Sequence, residues 1–275
     1  MNETNKNYIT GIILISNEDL NKDIRIVNTY DRYKRDNLGF AKQNYINNNE
    51  REIINKCQIK IDNISIPFSF FHKFKKCGKF IIEYSFEGCL TNTSSLFYDC
   101  KNITSLDLSH FNTEHITNMS LMFGGCESLT ELNLINFNTK SVIKMRHMFS
   151  GCKSLKYLDL SYFNTSNVID MTCMFCDCKS LTNLDLSNFN TQKVTSLSGM
   201  ISDCESLIDL DISNFNTKNV EDADRAISHC PSLKNIRLKD VSRKSQSSKF
   251  MLHISRYWKI INSHDPNFNF YSIKK

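Results

Sequence analysis

The stretch from Cys152 to Phe175 decides the fold, and it reads CKSLKYLDLSYFNTSNVIDMTCMF. Its key residues return every 26 positions along the chain. The cysteines of this series, here called the repeat cysteines, are Cys100, Cys126, Cys152, Cys178, Cys204 and Cys230. Phenylalanine follows the same step at Phe111, Phe137, Phe163, Phe189 and Phe215, and leucine at Leu129, Leu155, Leu181, Leu207 and Leu233. Three residue types in phase over this many periods indicate an internal structural repeat.

Two periodicities follow each other within this unit. The leucines of the Leu155–Leu160 segment follow an L-x-x-L-x-L pattern, which predicts a strand with Leu158 and Leu160 inward and Asp159 outward. Phe163-Asn164-Thr165 predicts a corner, with Thr165 as the N-cap of a helix. The apolar residues that follow have helical spacing and predict one buried helix face: Val168, Met171, Met174 and Phe175.

Each unit therefore predicts a strand, a corner, a short helix and a return. A single unit cannot bury both sides of its apolar stripe, so the units must stack on their neighbours. The sequence predicts an α/β repeat fold, a solenoid of strand-plus-helix units, with the outward strand face left free as one continuous recognition surface.

The unit C-x-S-L-x-x-L-D-L-S-x-F-N-T-x-x-V-x-x-M-x-x-M-F resembles the 26-residue leucine-rich repeats of the BspA-like family. The segment Cys152–Phe175 matches it throughout, Cys178–Met200 matches it nearly so, and the resemblance covers about residues 80–240. It implies a leucine-rich-repeat solenoid that binds other molecules and brings no catalytic residues with it. Many members of that family act at microbial surfaces in adhesion or host contact.

The ends of the chain lack the period and predict two further regions. Residues 1–77 predict a small β-rich N-terminal cap, residues 78–241 the solenoid, and residues 242–275 a linker and a capping helix. The strands predicted in the cap are Ile9–Ile15, Ile24–Tyr30, Ile53–Ile61 and Ile64–Phe68, with Asp62-Asn63 as a hairpin turn. A degenerate first unit is predicted near Gly78. The C-terminal helix carries Phe250, Ile254, Trp258 and Ile261 on one face, and either caps the last unit or contacts a membrane or a groove-binding partner.

Composition and charge narrow the classes of partner. The 275 residues contain 34 basic and 29 acidic side chains, a net charge of +5, and these are interspersed. This pattern favours neither nucleic acid nor an anionic membrane as a partner. No stretch has the roughly 20 apolar residues needed to span a bilayer, and no signal peptide is visible. The sequence thus predicts a cytoplasmic protein with reduced, buried repeat cysteines, the cell surface being the alternative.

Two clusters could carry chemistry. Cys173, Cys176 and Cys178, with His147 one repeat earlier, are soft ligands of the kind zinc takes, but a fourth ligand is not evident. A row of outward carboxylates recurs at Asp107, Asp159, Asp185 and Asp211, and the repeat itself is a sufficient cause for it. No nucleophile elbow and no phosphate-binding loop occurs. The sequence therefore predicts no catalytic residues, no metal site and no cofactor.

The outward strand face remains as the candidate site. The residues predicted to bind a partner protein are Ile135, Tyr157, Asp159, Tyr162, Asp185 and Asp211, because exposed aromatics on a rigid sheet are typical interface anchors. The predicted function is a non-enzymatic protein-binding scaffold. The alternatives are an exported surface adhesin and, less favoured, a thiol- or zinc-dependent protein. The sequence names neither the partner nor the oligomeric state.

Overall fold

The computed structural model describes residues 7–36 and 49–237 with their side chains, and residues 37, 238–239 and 269–273 as backbone only. The N-terminal region contains seven of the elements. These are β1 (Tyr8–Ile15), β2 (Ile24–Arg25), α1 (Tyr30–Asn37), α2 (Glu50–Lys56), β3 (Cys57–Ile61), β4 (Ile64–Ile66) and β5 (Phe71–His72), with a 3-10 turn at Asn17–Asp19. The strand β6 (Gly78–Phe86) follows and closes this region.

The strands of the repeat region are short. They are β7 (Ile103–Asp107), β8 (Glu131–Asn133), β9 (Asn183–Asp185), β10 (Ile201–Ser202), β11 (Asp209–Ile212), β12 (Ile227–Ser228), β13 (Asn235–Lys239) and β14 (Asn269–Ile273). They pair in parallel, as equivalent segments of consecutive repeats must when the repeats lie side by side. The strand side of a repeat is here defined as Leu155–Leu160 and its equivalents.

The N-terminal region joins the first repeat through a shared sheet of order β4-β3-β6-β1-β7-β8. Strand β1 lies between β6 and β7 and is antiparallel to both. Strand β1 of the N-terminal region thus covers the edge of β7, the first strand of the parallel series. Of the degenerate first unit predicted near Gly78, the strand part forms β6, which β1 separates from β7, whereas the turn part stacks on the next repeat through the bridge from Asn92 to Asn118.

The predicted strands of this region are confirmed only in part. Strands β1 and β4 lie where they were expected, and Asp62 and Asn63 both have positive φ, as the hairpin turn requires. The predicted strand Ile53–Ile61 begins only at Cys57, because residues 50–56 form α2, and of the predicted strand Ile24–Tyr30 only Ile24 and Arg25 form a strand. In α2, the acidic Glu50 and Glu52 of the first turn and the basic Lys56 of the last turn favour a helix over the strand that the isoleucines indicated.

The second part of each repeat forms turns, and these stack on the turns of the next repeat. This part is here called the turn side and is defined as residues 168–177 and their equivalents. Single parallel bridges join equivalent positions without a gap: Asn92 to Asn118, Asn118 to Lys144, Lys144 to Asp170, Asp170 to Ser196, and Ser196 to Asp222. Successive amides donate to the following repeat, as when Met171, Cys173 and Phe175 donate to the carbonyls of Ser196, Ser198 and Met200.

The predicted helices of the repeats were therefore wrong, and with them the α/β leucine-rich-repeat solenoid. The described residues contain two α-helices, α1 and α2, and both precede the repeats. An α-helix needs negative φ and amides that bond within their own chain segment. Each repeat instead places a residue in the left-handed region at one fixed position, occupied in turn by Leu121, His147, Cys173, Gly199 and Arg225. The structure is a sheet-and-turn fold.

The core runs through the repeats as stacked aromatic rings. Phe123, Phe149 and Phe175 are fully buried, and their ring centroids lie 5.6 Å apart at nearly parallel planes. The repeat cysteines line the same core, and their predicted burial is confirmed. Each thiol from Cys126 to Cys204 donates to a phenylalanine carbonyl of the preceding repeat, at Sγ···O distances of 3.1–3.2 Å. Small thiols thus fill the space between repeats and also satisfy a carbonyl.

Two further expectations fall at the ends of the chain. The C-terminal helix around Phe250–Ile261 lies outside the described residues, and strand β14 extends the sheet beside β13. The boundaries at residues 77 and 241 stay predictions. Within the described part of the chain, neither helix has the length and apolar character that crossing a bilayer requires.

Candidate functional site

The strand side of the repeats is interrupted at one place. One sheet ends at β8, and a second sheet, of order β14-β13-β11-β9, begins beyond the segment Tyr157–Leu160. Among the described residues, no backbone hydrogen bond joins residues 130–135 to residues 156–160. On the far side, Lys156 still accepts a bond from the amide of Thr182 at 3.4 Å. The interruption therefore lies between β8 and the segment that follows it in space.

A cleft of about 460 Å³ opens at this interruption, and it is here called the strand-side cleft. Its residues come from two neighbouring repeats: Thr130, Glu131, Leu132, Asn133, Leu134, Ile135, Tyr157, Asp159 and Tyr162. Leu134 is buried beneath it and belongs to the core. Ile135, Tyr157 and Tyr162 stand out of the surface, with 48%, 72% and 51% of their area exposed. Apolar side chains this exposed, grouped around one cleft, are more than the scattered exposure that needs no explanation.

Two carboxylates give the cleft its charge. Glu131 is exposed on β8, and Asp159 is exposed on the opposite wall. Within the part of the chain that the structure describes, neither carboxylate makes an ion pair. One oxygen of Asp159 accepts the amide of Ser161 at 2.9 Å, which leaves its second oxygen toward solvent. The cleft is therefore acidic, with aromatic and aliphatic walls.

The row of aspartates has a structural cause that the sequence did not reveal. In Asp107, Asp159, Asp185 and Asp211, Oδ1 accepts the amide two residues later, and all four distances are 2.9 Å. Asn133 does the same toward the amide of Ile135 at 3.1 Å. This is the side-chain turn that aspartate and asparagine form at the end of a strand. The repetition of the carboxylate therefore follows from the repetition of the turn.

The structure brings together four of the six residues predicted for the site. Ile135, Tyr157, Asp159 and Tyr162 all line the strand-side cleft. Asp185 lies on β9 and Asp211 on β11, outside the cleft. Hydrogen bonds from Ser187 to the Asp185 carboxylate lower the pKa of that group. Asp211 lies 3.6 Å from Arg237. The role of all six residues in binding stays a prediction. Glu131 was not among them, although its outward position on the strand could have identified it.

The C-x-x-C-x-C cluster is divided by the fold. Cys178 points into the core and donates to the carbonyl of Phe149, whereas Cys173 and Cys176 are partly exposed on the turn side. Burial is the main reason that the pKa of His147 is lowered to about 4. Among the described residues, no three His, Cys, Asp or Glu side chains are grouped as metal ligands would be.

The comparisons with known proteins give one result. A family described as "Mycoplasma protein of unknown function, DUF285" matches three overlapping stretches, residues 69–158, 91–207 and 156–263. No curated protein and no solved structure matches the chain. The resemblance to BspA-like leucine-rich repeats was thus wrong, since the match is to a different family and the repeats contain turns where that resemblance required helices.

Proposed function

Because the chain belongs to the DUF285 family, whose description assigns no function, its role must be inferred from its own surface, and we propose that it binds a partner protein without catalysing a reaction. The binding site of this proposal is the strand-side cleft. The ligand is an extended segment of the partner that carries an apolar side chain and a cationic side chain.

The observation that carries the proposal is the grouping of Ile135, Tyr157 and Tyr162 around two carboxylates without ion-pair partners among the described residues. Tyrosine is enriched at the centres of protein interfaces, because its ring offers a large apolar area and its hydroxyl a hydrogen bond. An apolar side chain of the ligand would pack between Tyr157 and Tyr162. A neighbouring arginine or lysine would pair with Glu131 or Asp159.

The edge of β8 supports an extended ligand. Its outer backbone groups have no backbone partner from residues 156–160. An extended peptide can bond such an edge, and its alternating side chains then face alternate directions. Each wall of the cleft is bonded to a further repeat, since the amide of Thr130 donates to Thr104 and the amide of Thr182 donates to Lys156. Walls held in this way lower the entropic cost of binding.

The test uses short synthetic peptides in which one arginine stands two residues from a leucine or phenylalanine. Binding is measured by fluorescence anisotropy. We expect the double variant Tyr157→Ala, Tyr162→Ala to weaken the tightest-binding peptides by at least about tenfold, which corresponds to ~1.4 kcal/mol. Asp159→Asn removes the charge but keeps the strand-end turn, as Asn133 does at the equivalent position. It should weaken binding less than the double variant does.

A matched control is Ile64→Ala, which removes an exposed apolar side chain from β4 in the N-terminal region. This variant should bind like the unaltered protein. Peptides with glutamate in place of arginine should bind more weakly at low salt, because they repel Glu131 and Asp159. The proposal fails if the double tyrosine variant binds as the unaltered protein does, or if the charge of the peptide has no effect.

A further inference from the structure

The turn side carries a pair of thiols that the proposed function does not use. Cys173 and Cys176 are the first and fourth residues of one tight turn, in which the amide of Cys176 donates to the carbonyl of Cys173 at 3.2 Å. Such a turn holds its end Cα atoms within about 7 Å. A disulfide needs Cα atoms roughly 4.4–6.8 Å apart. The backbone therefore already has the spacing of a disulfide.

The side chains of the pair also meet. The Cys176 thiol donates a hydrogen bond to the sulfur of Cys173, and this bond is the main reason that the pKa of Cys173 is lowered, to about 7. The same bond raises the pKa of Cys176, which remains the protonated partner. Arg146 adds to the lowering at Cys173, whereas Asp170 and Asp222 oppose it. Asp177 and Asp203 are the charged groups that act on Cys176.

The Cys173 thiol packs against the neighbouring repeat, where a glycine leaves room for it. The equivalent position there is Gly199, and a Cβ at that glycine would lie 2.9 Å from the Cys173 sulfur. A larger residue at position 199 would thus have to displace the thiol. Both cysteines of the pair are partly exposed. The four repeat cysteines from Cys126 to Cys204, by contrast, are buried and donate to phenylalanine carbonyls, and burial raises the pKa of Cys178 to about 12.

We propose that Cys173 and Cys176 form a vicinal dithiol site that reacts with low-molecular-weight disulfides and closes into an intramolecular disulfide. The Cys173 thiolate attacks one sulfur of the small disulfide, forms a mixed disulfide and releases one small thiolate. Cys176 then loses its proton to solvent and attacks the Cys173 sulfur, which releases the second small thiol. Two protein thiols are oxidised, and one small disulfide is reduced to two thiols.

The experiment incubates the full chain with graded ratios of oxidised to reduced glutathione, quenches it with acid and analyses it by mass spectrometry. The unaltered protein should acquire one disulfide between Cys173 and Cys176. Cys176→Ser should instead accumulate one glutathione on Cys173, because the resolving thiol is missing. Cys173→Ser should form no disulfide at this site. Serine occupies the position equivalent to Cys176 in both neighbouring repeats, at Ser150 and Ser202, so this substitution suits the fold.

Cys77 provides the control, because it is an exposed cysteine of the N-terminal region. Cys77→Ser should leave the Cys173–Cys176 disulfide unchanged. At pH 7, Cys173 should react with iodoacetamide several-fold faster than Cys77, since the lowered pKa of Cys173 makes much of it thiolate. If Cys173→Ser does not fold, Cys173→Gly replaces it, because Gly199 has the same left-handed backbone. The proposal is overturned if Cys77 becomes fully glutathionylated while Cys173 and Cys176 stay reduced, or if the disulfide survives in Cys176→Ser.

Discussion

The turn side and the strand side of the repeats are built from the same 26-residue units, yet only one of them is continuous. On the turn side, parallel bridges join equivalent residues of consecutive repeats from Asn92 to Asp222. On the strand side, the sheet stops at β8 and resumes at β9. The turn side therefore holds the repeats together, and the strand side can diverge locally without unfolding them. We therefore expect substitutions on the turn side to lower the stability of the protein, and substitutions at the strand-side cleft to weaken binding.

The largest expected effect is that of Phe149→Ala on the turn side. The ring is fully buried and stacks between Phe123 and Phe175. Its removal should lower the free energy of unfolding by ~3–5 kcal/mol, because the cavity interrupts the ring stack of three consecutive repeats. Urea denaturation followed by circular dichroism measures the change.

The counterpart in the strand-side cleft is Tyr162→Ala, which removes an aromatic side chain that is half exposed. This variant should change the free energy of unfolding by less than about 0.5 kcal/mol. Equal losses in the two variants would mean that both sides carry the stability, and the distinction between them would have to be abandoned.

The burial of the turn side was predictable from the sequence, but its conformation was not. Val168, Met171, Met174 and Phe175 are all fully buried, as their spacing indicated. Steps of three residues fit a helix, and they fit equally a run of tight turns in which every third residue points inward. What separates the two is the backbone hydrogen bonding. The amide of Met171 donates to the carbonyl of Ser196, which lies 25 residues away in sequence. The pattern of residues around Met171 does not indicate so distant a partner.

The site was partly predictable for a similar reason. Alternation along a strand places Tyr157 and Asp159 outward, and this needs no knowledge of neighbouring repeats. The cleft, however, depends on how far one repeat stands from the next. The inward leucines Leu132 and Leu134 of one repeat have the same spacing as Leu158 and Leu160 of the next, yet hydrogen bonding between these segments is lost. The outward position of Glu131 could be predicted from the strand pattern, but its place in the same cleft as Asp159 of the next repeat could not.

A smaller effect is expected where a side chain bonds the backbone of the next repeat. Thr165 was predicted to cap a helix, but its buried hydroxyl contacts Asn190 of the following repeat. Thr165 Oγ1 accepts the amide of Asn190 at 2.8 Å and donates to its carbonyl at 3.0 Å. Thr165→Val keeps the shape and leaves both backbone groups unpaired. The free energy of unfolding should fall by about 2 kcal/mol, as measured by urea denaturation.

Thr182→Val is the matched substitution on the strand side. The hydroxyl of Thr182 is exposed and lies 3.5 Å from the carbonyl of Lys156, at the limit of a hydrogen bond. Water can replace that contact, so the free energy of unfolding should change by less than about 0.5 kcal/mol. If the free energy of unfolding fell as much as in Thr165→Val, the contact between Thr182 and Lys156 would contribute more to stability than we expect.

The smallest of the turn-side effects should appear as a dependence of stability on pH. Burial, with a contribution from Arg146, lowers the pKa of His147 from 6.5 to about 4, while Asp170 opposes this. The folded protein thus keeps His147 neutral at pH values where the unfolded chain takes up a proton. Stability from this residue is complete above about pH 6.5 and is lost as the pH falls toward 4. Because the ring retains some contact with solvent, the loss should be on the order of 1 kcal/mol.

His147→Leu isolates this contribution, because Leu121 holds the equivalent position with the same left-handed backbone. The variant should show a smaller decrease in unfolding free energy between pH 6.5 and 4 than the unaltered protein. Asp185→Asn is the strand-side control. The pKa of Asp185 is lowered from 3.8, so its contribution is present above that pH and disappears only below it. If Asp185→Asn changed the slope between pH 6.5 and 4 as much as His147→Leu did, the titrating group would not be on the turn side. In that case, protonation of His147 on the turn side would not be the cause of the lost stability.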